Sequence, residues 1–477
     1  MKVGTRSVAS TRKVDDRGHV LGTGSPMARV GAGLAMFVAF CGLVLLLNHD
    51  HHQASWGPHS RSVWFLSVLG TVGFIARGIL LGRPVTARHA GAALALVVTG
   101  ISAHIVSLPV LGNLMVVGAG LALMWPESAL AQTSALPRVW ALVNRTHGDP
   151  LAPFAMQRSK SYHFNGDDTA VIAYRTKLGY AVVSGDPIGD ATRFRETVAD
   201  FAAMCHRRGW RIVVLGCSQS RLKLWCAPGI IGGSLRPIPI GRDVVISVEG
   251  FHTTGREFRN LRQAVQRTHN AGITTAVIAE ADLDRDLIDE LAEVIRASPR
   301  SARTERGFSM ILDGTLRAQY PGVDIIYARD RVGRIQGFQR YAVAGAGSDV
   351  SMDIPWRRSG APNGIDERLS VDMIRWAEQH GARRLSLAFA PFTEVFQATG
   401  RSHRNRALRG LIHLGDGLIR LESLYRYLRK FNAFGTRRYV LFQLRHVVPV
   451  LCALLILEFV PRRRYLPDCA QPSAAHA

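Results

Sequence analysis

The sequence predicts a membrane-anchored α/β protein, with apolar helices at the front and a body of mixed strands and helices behind them. Three observations support this fold class. The first 130 of the 477 residues hold long apolar runs. Beyond residue 150, short β-branched segments alternate with helical patterns, which is typical of α/β layers. The chain also carries 59 Lys and Arg against 36 Asp and Glu, a net charge of +23.

Charge and composition limit the class of protein. So large a basic excess indicates a polyanionic partner, either an anionic membrane surface or a nucleic acid. The hydrophobic fraction of 47% excludes a collagen-like or broadly disordered chain. The six cysteines form neither a CxxC pair nor a dense disulfide framework, which favours a reducing compartment.

Four apolar runs predict the membrane anchor: Val30–Leu47, Ser62–Leu81, Ala90–Val106 and Val110–Trp125. A run of about 18 residues can just cross ~30 Å of hydrocarbon as a helix. Lys and Arg concentrate in the leader and between the second and third runs. The positive-inside rule therefore places the leader and everything after the fourth run in the cytoplasm. We expect four spans, or three if the weakest run does not insert.

Changes in composition divide the chain into six segments. These are a basic cytoplasmic leader (1–29), a transmembrane region (30–126), a linker (127–150), two α/β units (151–282 and 283–461) and a tail (462–477).

The first α/β unit begins with a hairpin, in which strand patterns at Ala170–Tyr174 and Tyr180–Ser184 flank a turn at Lys177–Gly179. Further elements follow in order: a helix with Phe194, Val198, Phe201 and Cys205 on one face and Gly209 as its stop, strands at 211–215 and 244–248, a helix that begins at a capping box of Thr254 and Glu257, and a strand at 274–279.

The second unit has the same alternation without repeating the residues. Its predicted elements are a helix over 283–297, strands over 323–329, 335–342 and 349–354, a helix capped by Asn363 and running to Gly381, and a strand over 385–389. Elements of this length and order predict α/β layers around a largely antiparallel sheet.

Arginines on one predicted helix are the first candidate binding feature. Arg256, Arg259, Arg262 and Arg267 surround an apolar stripe between residues 256 and 271. Guanidinium groups at this spacing can bind phosphates. A solvated basic helix is the alternative.

The loop from Asp353 to Glu367 is the second candidate. It joins a strand to a helix start, where free N–H groups and the helix dipole favour an anion. Arg357 and Arg358 add charged donors, and the two carboxylates can hold an ammonium group. An ordinary structural turn is the alternative.

Basic and aromatic residues alternate between Leu424 and Phe431 and return at Arg437, Arg438 and Tyr439. This pattern fits either lipid headgroups or stacked nucleotides. No metal-ligand spacing, P-loop or GxSxG motif accompanies it, so we expect neither a metal nor a cofactor.

Five segments, in order, resemble the catalytic domain of the lysylphosphatidylglycerol synthetases over roughly residues 150 to 461. They are 173–175 with 185–189, 258–264, 361–364, 390–392 and 430–431. The resemblance implies two acetyltransferase-like (GNAT) domains in tandem. It also implies transfer of an amino acid from aminoacyl-tRNA to a hydroxyl of phosphatidylglycerol. The expected partners are therefore aminoacyl-tRNA, this anionic phospholipid and the membrane, while the oligomeric state stays open.

The resemblance also directs the choice of site residues. Asp353, Arg357 and Glu367 are the candidate catalytic residues, with the two carboxylates near the substrate's amino group and Arg357 at a phosphate or oxyanion. The candidate substrate-binding residues are Arg259, Arg262, Asn363, Gly364, Lys430 and Arg438.

Two departures from the family pattern matter. The family reads Asp-Leu-Met-Arg before the loop, whereas here Asp353 and Arg357 are one residue further apart. Four spans are also too few for the flippase of the full-length relatives, so we expect synthesis without flipping.

Two other functions stay open. A membrane-tethered N-acyltransferase that uses acyl-CoA would need a pyrophosphate loop near Arg357–Pro362. Pro362 stands where that loop needs Gly or Ala, and proline lacks the N–H. A non-catalytic protein that binds lipid or RNA is the third hypothesis.

Overall fold

The chain divides into two compact units. The first comprises Met1–Ser128 with Ala203–Arg211, and the second comprises Ala129–Ala202 with Ile212–Ala477. The computed structural model describes residues 85–229, 231, 234–298, 304–305, 307–391, 393, 421–460 and 462–463, together with 19–21, 66, 69–73 and 75.

The first unit contains two packed helices, α1 (Ala87–Ile105) and α2 (Pro109–Leu123), at the third and fourth apolar runs. A Cβ added at Gly100 would lie 3.2 Å from the Cβ of Met115, so glycine permits this close approach. No helix of the described residues is long and apolar enough to cross a membrane. The first run and most of the second lie outside those residues. The four-span anchor therefore stays a prediction.

The second unit holds most of the twelve strands of one sheet. They are β1 (Ser161–Phe164), β2 (Ala170–Lys177), β3 (Tyr180–Ser184), β4 (Ile188–Gly189), β5 (Arg211–Ser218), β6 (Arg236–Ser247), β7 (Thr274–Ala279), β8 (Val323–Arg329), β9 (Ile335–Ala344), β10 (Asp349–Arg357), β11 (Arg384–Pro391) and β12 (Phe434–Phe442). Short additional pairings join His19–Leu21 to Val85–Thr86 and Thr304–Glu305 to Arg462–Arg463.

The remaining helices are α3 (Leu136–Val143), α4 (Phe194–Arg207), α5 (Leu222–Cys226), α6 (Arg259–Asn270), α7 (Arg285–Arg296), α8 (Ile365–Gln379), α9 (Leu421–Arg429) and α10 (Val447–Phe459). Helix α3 lies in the segment that we expected to be a linker, and its Val139, Leu142 and Val143 are buried in a core cluster.

The strands follow the order β1-β2-β3-β5-β12-β6-β11-β10-β9-β8-β7, and β4 pairs with β2. Among the strand pairs with a defined register, only β10–β11 is parallel. The expected α/β body with a largely antiparallel sheet is therefore confirmed.

Strands of one predicted α/β unit pair with strands of the other within this sheet. Strand β7, which we assigned to the first unit, pairs with β8 of the second. Strand β12, near the end of the chain, lies between β5 and β6. Pairing between distant segments joins the two halves into one sheet.

Periodicity predicted most elements of the body correctly, but two predicted helix caps were wrong. Helix α6 begins after Phe258, and no side chain caps it, so Thr254 and Glu257 do not form a capping box. Helix α8 begins after Gly364, and Asn363 does not cap it. The N-cap position is Gly364, with φ +100°, and a glycine has no side-chain oxygen to accept from the first turn.

Candidate active site

The sheet opens between its two parallel strands. Strands β10 and β11 pair only from Asp349–Arg384 to Ser351–Ser386, although β10 continues to Arg357 and β11 to Pro391. Ala388 in β11 has φ +80°, which is costly for a residue with a Cβ. An opening at the carboxyl ends of parallel strands is a common place for a ligand.

A buried charge cluster lies on one face of the sheet, on β9 and β10. The Arg340 guanidinium donates to Glu280 Oε2 at 2.7 Å and to Asp353 Oδ2 at 2.9 Å, and all three side chains are 0% exposed. Backbone N–H groups complete the carboxylate contacts: Leu312 donates to Asp353 and Leu316 to Glu280. The cluster therefore ties three segments of the second half together.

The carboxylates of this cluster exceed its single cation. Burial raises the pKa of Asp353 to about 6, and the neighbouring Arg340 only partly opposes this rise. A group with a pKa near 6 can hold or release a proton close to neutral pH. The described side chains, however, leave the cluster no solvent contact.

A polar chain occupies the opposite face. Gln339 precedes Arg340 in β9, so its side chain points the other way, and its amide donates to the carbonyl of Asp366 in α8 at 3.0 Å. Ser370 donates to Gln339 Oε1 at 3.0 Å. The Ser370 hydroxyl has a single hydrogen, so the Tyr427 hydroxyl, 2.5 Å away, must donate to it. Burial raises the pKa of Tyr427, which keeps this donor protonated.

The candidate residues Glu367 and Lys430 form an ion pair beside this chain. Each lies three positions from a member of the chain, Glu367 from Ser370 in α8 and Lys430 from Tyr427 in α9. Residues at this spacing share a helix face, and Lys430 directly follows the last residue of α9, so the two contacts join the C-terminal end of α9 to α8. The Lys430 side chain remains 31% exposed, whereas that of Glu367 is 9% exposed.

Arg357 meets the same helix start from the strand side. Its Nη1 lies 3.4 Å from Asp366 Oδ2, and its side chain is 45% exposed. No side chain caps the N-terminus of α8. Arg357 therefore contacts the first turn of α8 through Asp366, and its role in a site stays a prediction.

Gly364 allows the start of α8 to pack against α6. A Cβ at Gly364 would overlap the carbonyl oxygen of Ala264 in α6. On α6, Arg259 and Arg262 are exposed, and the Arg262 guanidinium donates to the carbonyls of Thr253 and Gly255. The close packing brings a basic helix next to the loop that contains Arg357.

Arg438 has a different environment from the other candidate residues. Its guanidinium donates to Asp243 and to Asp149, both at 2.7 Å, and to the carbonyl of Gly216, and its side chain is 2% exposed. Asp186 lies 3.5 Å away, and burial raises the pKa of its carboxyl to about 6. Arg438 therefore joins β12 to four other segments and is turned away from solvent.

The structure brings together only some of the candidate residues. Arg357, Gly364, Glu367 and Lys430 gather at the start of α8, with exposed Asn363 in the loop before it. Asp353 points to the other face of the sheet and does not meet Glu367. Sequence reasoning missed Arg340 and Glu280, although an arginine inside a strand of apolar residues indicates a buried partner.

Comparisons of sequence place the chain beside known proteins. A model of the family "phosphatidylglycerol lysyltransferase, C-terminal" matches residues 140–442. An MprF-like domain protein of Mycobacterium tuberculosis is 59% identical over 442 residues, 93% of this chain and 91% of that protein. The lysylphosphatidylglycerol biosynthesis bifunctional protein LysX of Rhodococcus jostii is 30% identical over 301 residues. That match covers 62% of this chain but 26% of LysX.

Two solved structures share the fold. The C-terminal domain of a putative lysylphosphatidylglycerol synthetase from Agrobacterium fabrum has a TM-score of 0.58 and 19% identity, and the match covers 69% of this chain and 98% of that one. L-PGS from Bacillus licheniformis has a TM-score of 0.55 and 19% identity, with 67% and 95% covered.

Proposed function

The chain belongs to the phosphatidylglycerol lysyltransferase family, and from this premise we propose that it transfers an aminoacyl group from aminoacyl-tRNA to a hydroxyl of phosphatidylglycerol or a related lipid. The resemblance drawn from five sequence segments is thereby confirmed at the level of the family. The proposal includes a multi-pass membrane anchor, a cytoplasmic body and no flipping of the product.

The convergence of two partly exposed cations on the start of α8 is the observation that carries the proposal. Arg357 and Lys430 are each held by a carboxylate of the first turn, Asp366 and Glu367. Each cation keeps N–H donors that its carboxylate does not use. A phosphate or a developing oxyanion would find charge-assisted donors at this position.

The reaction requires placement more than activation. In an aminoacyl ester, the lipid hydroxyl attacks the carbonyl carbon, the bond to the ribose oxygen breaks, and the hydroxyl proton ends on that ribose oxygen. We assign Arg357 to the oxyanion or a phosphate, Lys430 to a phosphate, and Glu367 to the substrate's amino group. Asp353 is bound to the buried Arg340, so we assign it to holding β10 in place and not to contact with substrate. Holding the reactants together supplies much of the rate.

The loop before α8 supports aminoacyl-tRNA over acyl-CoA. Arg358 Nε donates to the carbonyl of Ile335 at 2.7 Å, and its Nη2 donates to Glu293 at 3.1 Å. Pro362 offers no N–H. Two of the donors that a pyrophosphate loop would need are therefore occupied or missing.

The test uses the full chain in phosphatidylglycerol vesicles with tRNA that carries a labelled amino acid. We expect labelled lipid, abolished by RNase and indifferent to CoA esters. Arg357→Ala should lower turnover by roughly a hundredfold, the scale of losing one such donor, and Arg357→Lys should restore it in part because an ammonium cannot fork. Arg334→Ala, at an exposed turn, is the matched control.

Each other outcome identifies a different function. RNase-resistant activity that requires a CoA ester would establish the N-acyltransferase. Binding of tRNA or lipid without turnover would establish the non-catalytic protein. Folded Arg357→Ala protein with normal turnover would remove the start of α8 from the active site.

A further inference from the structure

The last helix of the body, α10, exposes an apolar face. Val447, Val448, Leu451 and Leu455 are between 45% and 69% exposed. At about 100° per residue these four positions span roughly 100° of the helix surface. Leu444 before the helix and Val460 after it are also exposed. A contiguous apolar surface of this kind marks an interaction site more often than a scattered one does.

The other described parts of the body lack a comparable surface. Among the described residues after 128, the other exposed large apolar side chains are Leu130, Leu178 and Val332, which are far apart in the sequence. The inner face of α10 packs through Val450 and Ala453, with Leu457, on the sheet. The inner face of α10 is thus buried against the sheet. In the described structure only the outer face of the helix is exposed.

The one acidic residue of α10 is turned inward. The Glu458 carboxylate accepts hydrogen bonds from the N–H groups of Phe308 and Ser309 and from the Ser309 hydroxyl, at 2.8–3.1 Å. The exposed face therefore carries no negative charge. A few residues further on, Leu312 donates to Asp353, so a short segment links α10 to the buried charge cluster.

Two basic side chains lie close to α10 in the chain or in the sheet, and a third lies near one of them. Arg445 is exposed directly before α10, and Arg236 is exposed opposite Phe442, a core neighbour of the helix. Lys223 lines the same surface depression as Arg236. None of the three forms an ion pair with a described carboxylate. Their charge complements an anionic surface and would oppose a second copy of the same face.

We infer that α10 lies in the plane of an anionic membrane surface, with its apolar face among the lipids and Lys223, Arg236 and Arg445 at the headgroups. Thirteen residues make a helix of about 20 Å, too short for ~30 Å of hydrocarbon. Helix α10 is apolar on both sides, so its inner face can pack on the sheet while its outer face contacts lipid, and nearby basic residues add attraction to anionic headgroups. This contact would hold the body against the bilayer independently of the predicted anchor. It adds a docking surface to the proposed function and does not require turnover.

A fluorophore placed on α10 tests this inference in the full chain. Val448→Cys and, as the control, Val332→Cys are labelled with an environment-sensitive dye after the remaining cysteines are changed to serine. The protein is reconstituted in vesicles with and without phosphatidylglycerol. We expect nitroxide on the lipid chains to quench the dye at 448 severalfold more than the dye at 332, with the opposite order for iodide in the water.

Substitutions then separate apolar contact from charge. Leu451→Asp with Leu455→Asp should abolish the lipid quenching at 448, while Val332→Asp should leave it unchanged. Arg236→Gln with Arg445→Gln should reduce the preference for anionic vesicles. Turnover is measured on the same samples. Loss of turnover in protein whose dye at 448 is still quenched by lipid would contradict the proposed function but not the membrane contact of α10.

Two results would overturn the inference. One is equal quenching of the dyes at 448 and 332 by iodide in vesicles that contain phosphatidylglycerol. The other is shielding at 448 that depends on protein concentration and not on lipid, which would mean that a second copy covers α10.

Discussion

Replacing Arg340 by leucine removes the only cation of the buried cluster. Glu280 and Asp353 would then face each other without charge compensation, although each keeps one backbone donor, from Leu316 and Leu312. Breaking a buried ion pair by removing one partner costs about 3–5 kcal/mol. At about 2 °C per kcal/mol for a large domain, the melting temperature should fall by about 6–10 °C.

The loss should depend on pH. Without the cation, burial and repulsion from the neighbouring carboxylate raise the folded-state pKa of Asp353 further above its unfolded value near 4. A carboxyl whose pKa is higher in the folded than in the unfolded state stabilises the folded protein at pH values below its unfolded pKa. This contribution is lost as the pH rises through its folded pKa. In the wild type this window ends near pH 6 for Asp353. The difference in melting temperature between wild type and Arg340→Leu should therefore be larger at pH 8 than at pH 5.

Thermal melting of the full chain in detergent, followed by tryptophan fluorescence, measures both effects. Arg334→Leu, at an exposed turn, should melt within about 1 °C of the wild type, because such surface changes cost under ~0.5 kcal/mol. Adding Glu280→Gln and Asp353→Asn to Arg340→Leu should recover most of the loss. A gap that is the same at pH 5 and pH 8, or a triple variant as unstable as the single one, would refute the reasoning.

Three further predictions follow from single contacts. Gly364→Ala should lower the melting temperature clearly more than Gly360→Ala. Both glycines have positive φ, which strains alanine by about 1–2 kcal/mol, but only Gly364 lies against the Ala264 carbonyl. Equal losses of melting temperature would contradict this packing. Tyr427→Phe should cost about 1 kcal/mol of stability. Because it loosens Lys430, it should also raise KM more than it lowers kcat. Tyr425→Phe is the control, and unchanged kinetics of Tyr427→Phe would exclude a positioning role for Tyr427. Arg438→Met should abolish the monodisperse peak in size-exclusion chromatography at pH 7.5, because Asp149, Asp186 and Asp243 would lose their shared cation. The control Arg437→Met, at the exposed neighbouring residue, should retain this peak.

The sequence alone determined the local elements of the body and the family. The hairpin of β2 and β3, helix α4 and strands β8 and β9 follow from period-two and period-3.6 patterns, which act between near neighbours in the chain. Five short segments identified the family. The charged loop at Arg357 was also found from sequence, because a strand end, a glycine and a helix start lie within fifteen residues.

Only the tertiary structure decided which of these residues meet. Asp353 and Glu367 are close in sequence, yet a sheet separates them, because neighbouring side chains of a strand point to opposite faces. Arg340, Glu280 and Asp353 come from segments up to 73 positions apart, and no local pattern encodes that contact. The same holds for Arg438, which resembled a surface arginine in the sequence. Its burial among three carboxylates follows from the pairing of β12 with β5 and β6, a long-range choice that depends on the whole sheet.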